Sequence, residues 1–513
     1  MKYYIGLDNG GTTIKACLFN EYGQDIAVSS TDTITESVHP DFAEQDMDKM
    51  WEANCKVLKE LLRVSNVNPD DIRCITVCGH GKGLYLWGQD DKPVRKGICS
   101  TDNRAYNYPI LWEKNGVAEK VFQISCQHIM ACQPVSLLAW LQDNEPEAIH
   151  NIKWIFSCKD YIRFKLTGKA FGEYSDYSGS NLLNLHTKQY DTEPLKLFGL
   201  ESLYNALPPL KCATDICGYI TNEVSALTGL PEGIPVAGGL FDINACGLAV
   251  GLTDPTNICM IAGTWSINEY LSPKPILDGT AWMNSLFAIP EYYLIEECSP
   301  TSAGNMDWIL KNLFPELFIE KNKKDVYEYI NKCISNIDTN IFSPIFLPFI
   351  LGSNAHPNAK GCFIGISKYH KRDYLLRSVY EGVCFSHKYH LDKLLKTRRN
   401  SPPKTIRLSG GVVNSKVWLQ MFADIMQFPI EVISAAETGA LGCAICGAVA
   451  CGDKNTIQEA ITDMANVSEV YYPNPENISI YKNKYAIYLK AIEKLDSLWN
   501  DITNITNLSA KKE

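Results

Sequence analysis

No run of 18 apolar residues occurs in the 513-residue chain, so no membrane-spanning helix is expected. The start lacks a basic segment followed by an apolar one, so no secretory leader is expected either. There is no strong basic run, and the formal net charge is −10, which argues against a nucleic-acid partner. The cysteines show no paired framework: 19 of them, an odd number, lie scattered, and several sit inside apolar runs. That distribution fits reduced, buried thiols and a cytoplasmic protein. Cys443 and Cys446 form a lone C-x-x-C in an Ala/Gly-rich apolar stretch, which reads as small-residue packing before metal or redox chemistry. Neither G-x-x-x-x-G-K-[ST] nor G-x-G-x-x-G is found, which sets aside the two best-known glycine loops.

What is present is ordinary in bulk. Hydrophobic residues make up 46% and charged residues 21%, the balance of a folded globular chain. Its length allows two or more domains, each with a full core. The most informative stretch is the first. Tyr3 to Leu7 are β-favouring, Asp8-Asn9-Gly10-Gly11-Thr12-Thr13 follow, and Ile14 to Phe19 resume the apolar pattern. This reads as strand, tight turn, strand. Two glycines permit φ > 0 and close backbone approach. Backbone N–H groups beside Thr12, Thr13 and Lys15 form an anion cradle, or else the stretch is an ordinary polar hairpin. Asp8 beside such a cradle makes sense if Mg²⁺ lies between carboxylate and phosphate.

Along the chain, Met47 to Val64 carries helical spacing. Ile72 to Val77 reads as a strand ending in Cys78-Gly79-His80-Gly81-Lys82-Gly83, a place where α/β sheets bind ligands. His80 and Lys82 are candidate sugar contacts there, against a plain hairpin loop. Asp102 and Arg104 either bond polyol hydroxyls or pair with each other. Trp154 to Gly168 reads as strand then helix, and Glu173 to Gly179 as a polar, aromatic loop containing Asp176. Ile234 to Gly247 reads as strand, glycine turn, helix start. Asp242 is the only carboxylate between Glu232 and Asp254. Poor solvation there raises a carboxyl pKa and suits a general base, although an N-capping role is the alternative. Asn257 to Leu271 repeats the opening hairpin around Gly263-Thr264, and Thr405 to Gly411 echoes Ile72 to Gly79. Two α/β domains of one plan facing a cleft are expected, divided near Gly247 to Asp254.

The order of these stretches is more specific than any one of them. Asp8-x-Gly-Gly-Thr-Thr between strands resembles the first phosphate loop of the sugar-kinase, Hsp70 and actin superfamily. Together with Gly238 to Asp242, Gly263-Thr264, Ser302-Ala303-Gly304, Gly361 to Glu381 and Ser409-Gly410-Gly411, it resembles the FGGY carbohydrate kinases over nearly the whole chain. Tyr374, Leu137 and Gly352-Ser353-Asn354 depart from the usual signatures. Gly81 to Leu84, Pro134 to Leu138, Ser299 to Ser302 and Gly352 to Ala355 resemble the L-xylulose kinase group, which is also linked with 3-keto-L-gulonate.

The resemblance implies two duplicated RNase H-like domains. Residues 1–249 would bind sugar and 250–500 ATP, with a polar tail over 501–513. It implies ATP and Mg²⁺ as cofactors and phosphorylation of a ketopentose, L-xylulose first, with D-xylulose, 3-keto-L-gulonate or another polyol as alternatives. Asp242 would be the base, Asp8 and Asp242 would serve the metal, and His80, Lys82, Asp102 and Asp176 would line the sugar. Gly10 to Thr13, Gly263 and Thr264 would hold phosphates, with Lys15 adding positive charge there or else standing as a surface lysine, and Gly304, Gly410, Gly411 and Asn414 would hold the adenosine. Asn414 either bonds there or only caps the next helix. A non-catalytic sugar or nucleotide sensor, a chaperone and a cytoskeletal ATPase are the rivals from other classes. A homodimer is an open arrangement with no interface readable.

Overall fold

The computed structural model describes residues 1–319, 321–399 and 401–510. The chain packs as two compact units. The first comprises Met1–Asp254, Leu271–Ile295 and Ser434–Asn466; the second comprises Pro255–Tyr270, Glu296–Ile433 and Val467–Glu513. Both are mixed α/β.

In the first unit the opening strand Tyr3–Asn9 pairs antiparallel with Thr13–Asn20, which pairs in turn with Asp25–Asp32. The apolar faces of these strands supply Ile5, Leu7, Ile14 and Leu18 to the core. On its other side Tyr3–Asn9 runs parallel to Ile72–Gly79, with Asp8 opposite Cys78 and Asn9 opposite Gly79. Two short segments lie parallel to the same central strand, Pro235–Ala237 and Leu240–Phe241, the latter placing Phe241 opposite Gly79. The carboxyl ends of three neighbouring strands therefore meet, and they carry Asp8, Gly79 and Phe241-Asp242.

The helix Met47–Ser65 covers this sheet. Asp46 caps it by accepting from the N–H groups of Asp48 and Lys49, and it buries Met50, Trp51, Val57, Leu58 and Leu61, the spacing of one helical face. The helix Thr438–Ala450 packs onto the same sheet. Its small residues let it sit closely: a Cβ on Gly442 would lie 2.1 Å from the Ala245 carbonyl oxygen. Cys443 and Cys446 are buried in this helix, whose sequence is rich in Ala and Gly. A second apolar cluster gathers Leu84, Val135, Leu138, Leu195 and Phe198.

The second unit repeats the plan. Ile258–Ala262 and Ser266–Ser272 form an antiparallel hairpin around Gly263, and Ile406–Ser409 runs parallel to Ile258–Ala262. Ile430–Ile433 and Val467–Tyr471 continue the sheet. The 26-residue helix Arg372–Thr397 buries Leu376, Val379 and Val383. Its Glu381 is held by Ser343 Oγ at 2.6 Å, Arg377 Nε at 2.9 Å and Lys484 Nζ at 3.0 Å. The segment expected as a polar tail is helical as far as Ala510, within Pro475–Ala510; Lys511, Lys512 and Glu513 lie outside the described residues.

Gly239 is a position where the fold of the first unit tolerates no side chain without strain. Its φ is +77°, and a Cβ would lie 2.1 Å from the Val77 carbonyl oxygen. Gly239→Ala is expected to lower the thermal melting midpoint by several degrees, from strain of about 1–3 kcal/mol for the left-handed backbone alone. A parent-like midpoint would contradict this packing.

Candidate functional site

The glycine turn that ends in Asp242 is built by close packing. With Gly239 pressed against Val77, the chain passes through Leu240–Phe241 and enters the helix Asp242–Ala249. Asp242 is the first residue of that helix and not its cap; Phe241 occupies the cap position without a side-chain bond. The carboxyl group is pushed up to about 8, first by burial and then by the charge of Asp8, while the Ile243 N–H and Lys82 act in the opposite sense.

Asp8 stands at the end of the opening strand and is raised to about 6, mainly by burial, with Lys15 opposing. Its Oδ1 is buried without a hydrogen-bond partner. Two carboxylates of which one resists ionisation first through burial and then through the charge of the other, with an unsatisfied oxygen at a strand end, suit a hard dication. Mg²⁺ needs only one or two carboxylates when water and phosphate complete its shell. Among the described residues no group of three or more His, Cys, Asp or Glu forms a protein-only metal cage, in keeping with that kind of site.

The turn after Asp8 is closed by Gly10 N–H donating to the Thr13 carbonyl at 3.1 Å. Neither Gly10 nor Gly11 adopts positive φ, so the expected left-handed backbone is not used. Gly11 instead leaves open space, with nothing within 4 Å of a Cβ, and Gly11 and Thr12 are exposed. Lys15 is not a free surface lysine. Its Nζ lies 2.7 Å from Glu437 Oε2.

Beside these strand ends, Lys82, Gly83, Pro134, Asp176, Tyr177 and Ser180 line a narrow recess of about 20 Å³. The recess is too small for a sugar unless side chains move, and Lys82 is the longest flexible one among these six. Lys82 has φ +62°, a rare state for a residue with a Cβ, and its Nζ lies 5.1 Å from the centre of the Phe241 ring. Among the described residues no carboxylate pairs with it. The Glu173 to Gly179 stretch, expected as a loop, contains the one-turn helix Tyr174–Tyr177 with Glu173 as its cap.

Two expected sugar contacts are used elsewhere. Asp102 is buried; its Oδ1 accepts from Arg104 N and Nε, and its Oδ2 from Ala43 N and Arg104 Nη2. The pairing alternative holds, and four donors leave this carboxylate little capacity for a sugar. His80 is buried with Nε2 at 2.9 Å from the Tyr85 hydroxyl, and burial lowers it to about 4, so it is neutral at physiological pH.

In the second unit a cavity of about 720 Å³ is lined by Gly263, Thr264, Gly304, Gly411 and Asn414, five of the six expected nucleotide residues of that half. The sixth, Gly410, has φ +95°, and a Cβ there would lie 2.5 Å from the Ala262 carbonyl oxygen. Asn414 does not cap the following helix: Ser415 does, accepting from Trp418 N–H, and Asn414 donates to the Gly411 carbonyl at 3.3 Å. Lys323, Lys324, Asp307 and Tyr327 also line this cavity and were not singled out from the sequence. They lie on helices whose polar faces look like any solvated surface.

Residues 3–249 match the N-terminal domain, and residues 258–451 the C-terminal domain, of the FGGY family of carbohydrate kinases. A probable L-xylulose kinase of Haemophilus influenzae is 35% identical over 505 residues, spanning 97% of this chain and 100% of its own. An L-xylulose/3-keto-L-gulonate kinase of Escherichia coli is 34% identical over 496 residues, with 96% and 97% covered. The fold matches a ligand-bound xylulose kinase of Lactobacillus acidophilus with a TM-score of 0.88 at 23% identity, covering 98% of this chain and 100% of that one. The chain belongs to the FGGY family of carbohydrate kinases, and it is a carbohydrate kinase.

The raised carboxyls give a pH test. Native Asp8 and Asp242 keep protons that an unfolded chain has released near 3.8. Their contribution therefore falls as pH rises through about 6 and about 8. In metal-free buffer the melting midpoint should fall more steeply from about pH 6 to about pH 8 in the parent than in Asp8→Asn. Added Mg²⁺ should restore stability at the upper pH in the parent and do less in the variant. Equal slopes and equal Mg²⁺ responses would contradict the pairing.

Proposed function

We propose that this kinase transfers the terminal phosphate of ATP to the O5 hydroxyl of a ketopentose, L-xylulose before others. The observation that carries the proposal is Asp242, a carboxyl held near 8 at the strand ends beside Asp8. A general base works best when its pKa lies near the operating pH. Asp242 accepts the proton of the attacking hydroxyl. Asp8, with Asp242 adjoining, would hold Mg²⁺, and the ion when bound supplies neutralisation of phosphate charge. Asp176 accepts from a sugar hydroxyl in the recess. The Gly10 to Thr13 turn and the Gly263-Thr264 turn present backbone N–H groups to the phosphates. The cavity at Gly304, Gly411 and Asn414 takes the adenosine. Phosphoryl transfer of this kind depends on placement and electrostatics more than on covalent help. Sugar binding is thus given to residues 1–249 and nucleotide binding to 250–500. The relatives named for L-xylulose support the choice of ketose, and the scattered cysteines, none of them in a disulfide among the described residues, support a cytoplasmic setting.

A second substrate reading rests on Lys82. An ammonium group in the wall of the recess, ion-paired with no carboxylate among the described residues, suits an acidic sugar such as 3-keto-L-gulonate.

Asp242→Asn should retain ATP and sugar binding and lose about 10²–10⁴-fold in kcat, measured by coupled ADP release. Parent-like turnover would remove Asp242 from the mechanism. The same assay over L-xylulose, D-xylulose, L-ribulose, 3-keto-L-gulonate and glycerol ranks the substrates, and glycerol turned over best would overturn the ketose assignment. Lys82→Met should reduce kcat/KM for 3-keto-L-gulonate about tenfold more than for L-xylulose, the loss of one charge-assisted contact. Equal losses would show that Lys82 does not read a carboxylate.

A further inference from the structure

Beneath the recess lies a group of charges of which the proposed reaction uses only Asp176. Lys159 is fully buried, with its Nζ 2.8 Å from Asp160 Oδ1 and 3.4 Å from both Glu173 Oε2 and Asp176 Oδ2. Arg163, also buried, has Nη1 2.9 Å from the same Asp160 oxygen. Ions removed from water at this cost persist where their geometry is satisfied from several sides. What the group holds is the segment that leads into Asp242. The Ser175 hydroxyl donates to Glu173 Oε2 at 2.6 Å. That fixes its proton and turns a lone pair toward Phe241, whose N–H donates to Ser175 Oγ at 3.0 Å. At the other end of the turn, Arg163 Nη1 donates to the Gly238 carbonyl. The turn from Gly238 to Phe241 is therefore pinned at both ends by one ionic network, and the same Lys159 ammonium faces Asp176 in the recess wall.

We infer that Ser175 is a positioning residue for phosphoryl transfer: oriented by Glu173 and Lys159, its hydroxyl anchors the peptide before Asp242 and so sets where that carboxylate meets the acceptor hydroxyl. The inference rests on the reading of Asp242 as the general base. Small misplacements of a reacting group are expensive, since about 1 Å is worth about 100-fold in rate. Ser175 touches neither nucleotide cavity nor phosphate turn, so its effect belongs in kcat and not in the KM for ATP.

The test compares Ser175→Thr with Ser175→Val. The two side chains have the same shape and impose the same crowding, and only the first keeps the hydroxyl. With the ketose turned over fastest, kcat of the valine variant should lie about 10- to 100-fold below that of the threonine variant, with KM for ATP within about twofold and both variants folded at the assay temperature. Equal kcat values in the two would overturn the inference. Should the branched pair fail to fold, Ser175→Ala removes the hydroxyl without added bulk. It should lose kcat about 10-fold or more against an unchanged KM for ATP, and parent-like kcat would overturn the inference. Asp242→Asn assayed alongside separates the two claims. If it keeps turnover, the base assignment fails. If it is inactive while the threonine and valine variants match, only the role of Ser175 fails.

Discussion

Two carboxyl groups that resist being charged together are the constraint on which the site depends. Asp8 lies on a strand and Asp242 begins the helix after Leu240–Phe241, far apart in sequence, yet they come to neighbouring positions because Asp8 lies opposite Cys78 and Phe241 opposite Gly79 on one central strand. Burial alone lifts both, and the charge on Asp8 lifts Asp242 further. A fold selected for stability only would not keep such a pair. Buried acids with raised pKa values near a partner of the same sign are the usual mark of chemistry or of a cation. Lys15 eases the ionisation of Asp8, but its own ammonium is engaged by Glu437 at 2.7 Å, so it does not neutralise the pair.

The scaffold meets this constraint with one plan used twice: a hairpin with a glycine turn, and a strand parallel to its first arm that ends in a second glycine turn. In the first unit the plan brings acids together. In the second the equivalent turns, Gly263 and Gly410-Gly411, are adjacent because Ile261 lies opposite Ser409, and they border the 720 Å³ cavity. On the proposed function, the same backbone geometry would serve a metal-and-base role in one half and a nucleotide role in the other. Between the strands and their chemistry stand supports such as the helix Thr438–Ala450, whose lack of bulk lets it seat against Gly6 and Ala245.

Much of this was legible locally. The hairpins, the helix from Met47, the strand–helix at Trp154 to Gly168 and the turn before Asp242 all follow from periodicity and glycine placement, and the structure has them. What was not legible shares a cause: each point depends on which groups meet in space. Asp102 had two possible fates, and only packing could show its bonds to Arg104. His80 meets Tyr85, and Lys15 meets a residue 422 positions away. Asn414 and Ser415 are both good caps by type, and the helix begins one residue later than the first of them allows. Ser175 sat within a stretch read as a loop, because a single helical turn carries no detectable period.

The most direct measurement is a titration of the Asp8 and Asp242 carboxyls by ¹³C NMR in the metal-free protein, in the parent and in Asp8→Asn. The account predicts that the upper step of the pair lies near 8 in the parent and moves down when Asp8 is made neutral. An Asp242 carboxyl that titrates in the ordinary range near 4, or one that does not respond to the loss of Asp8, would contradict it.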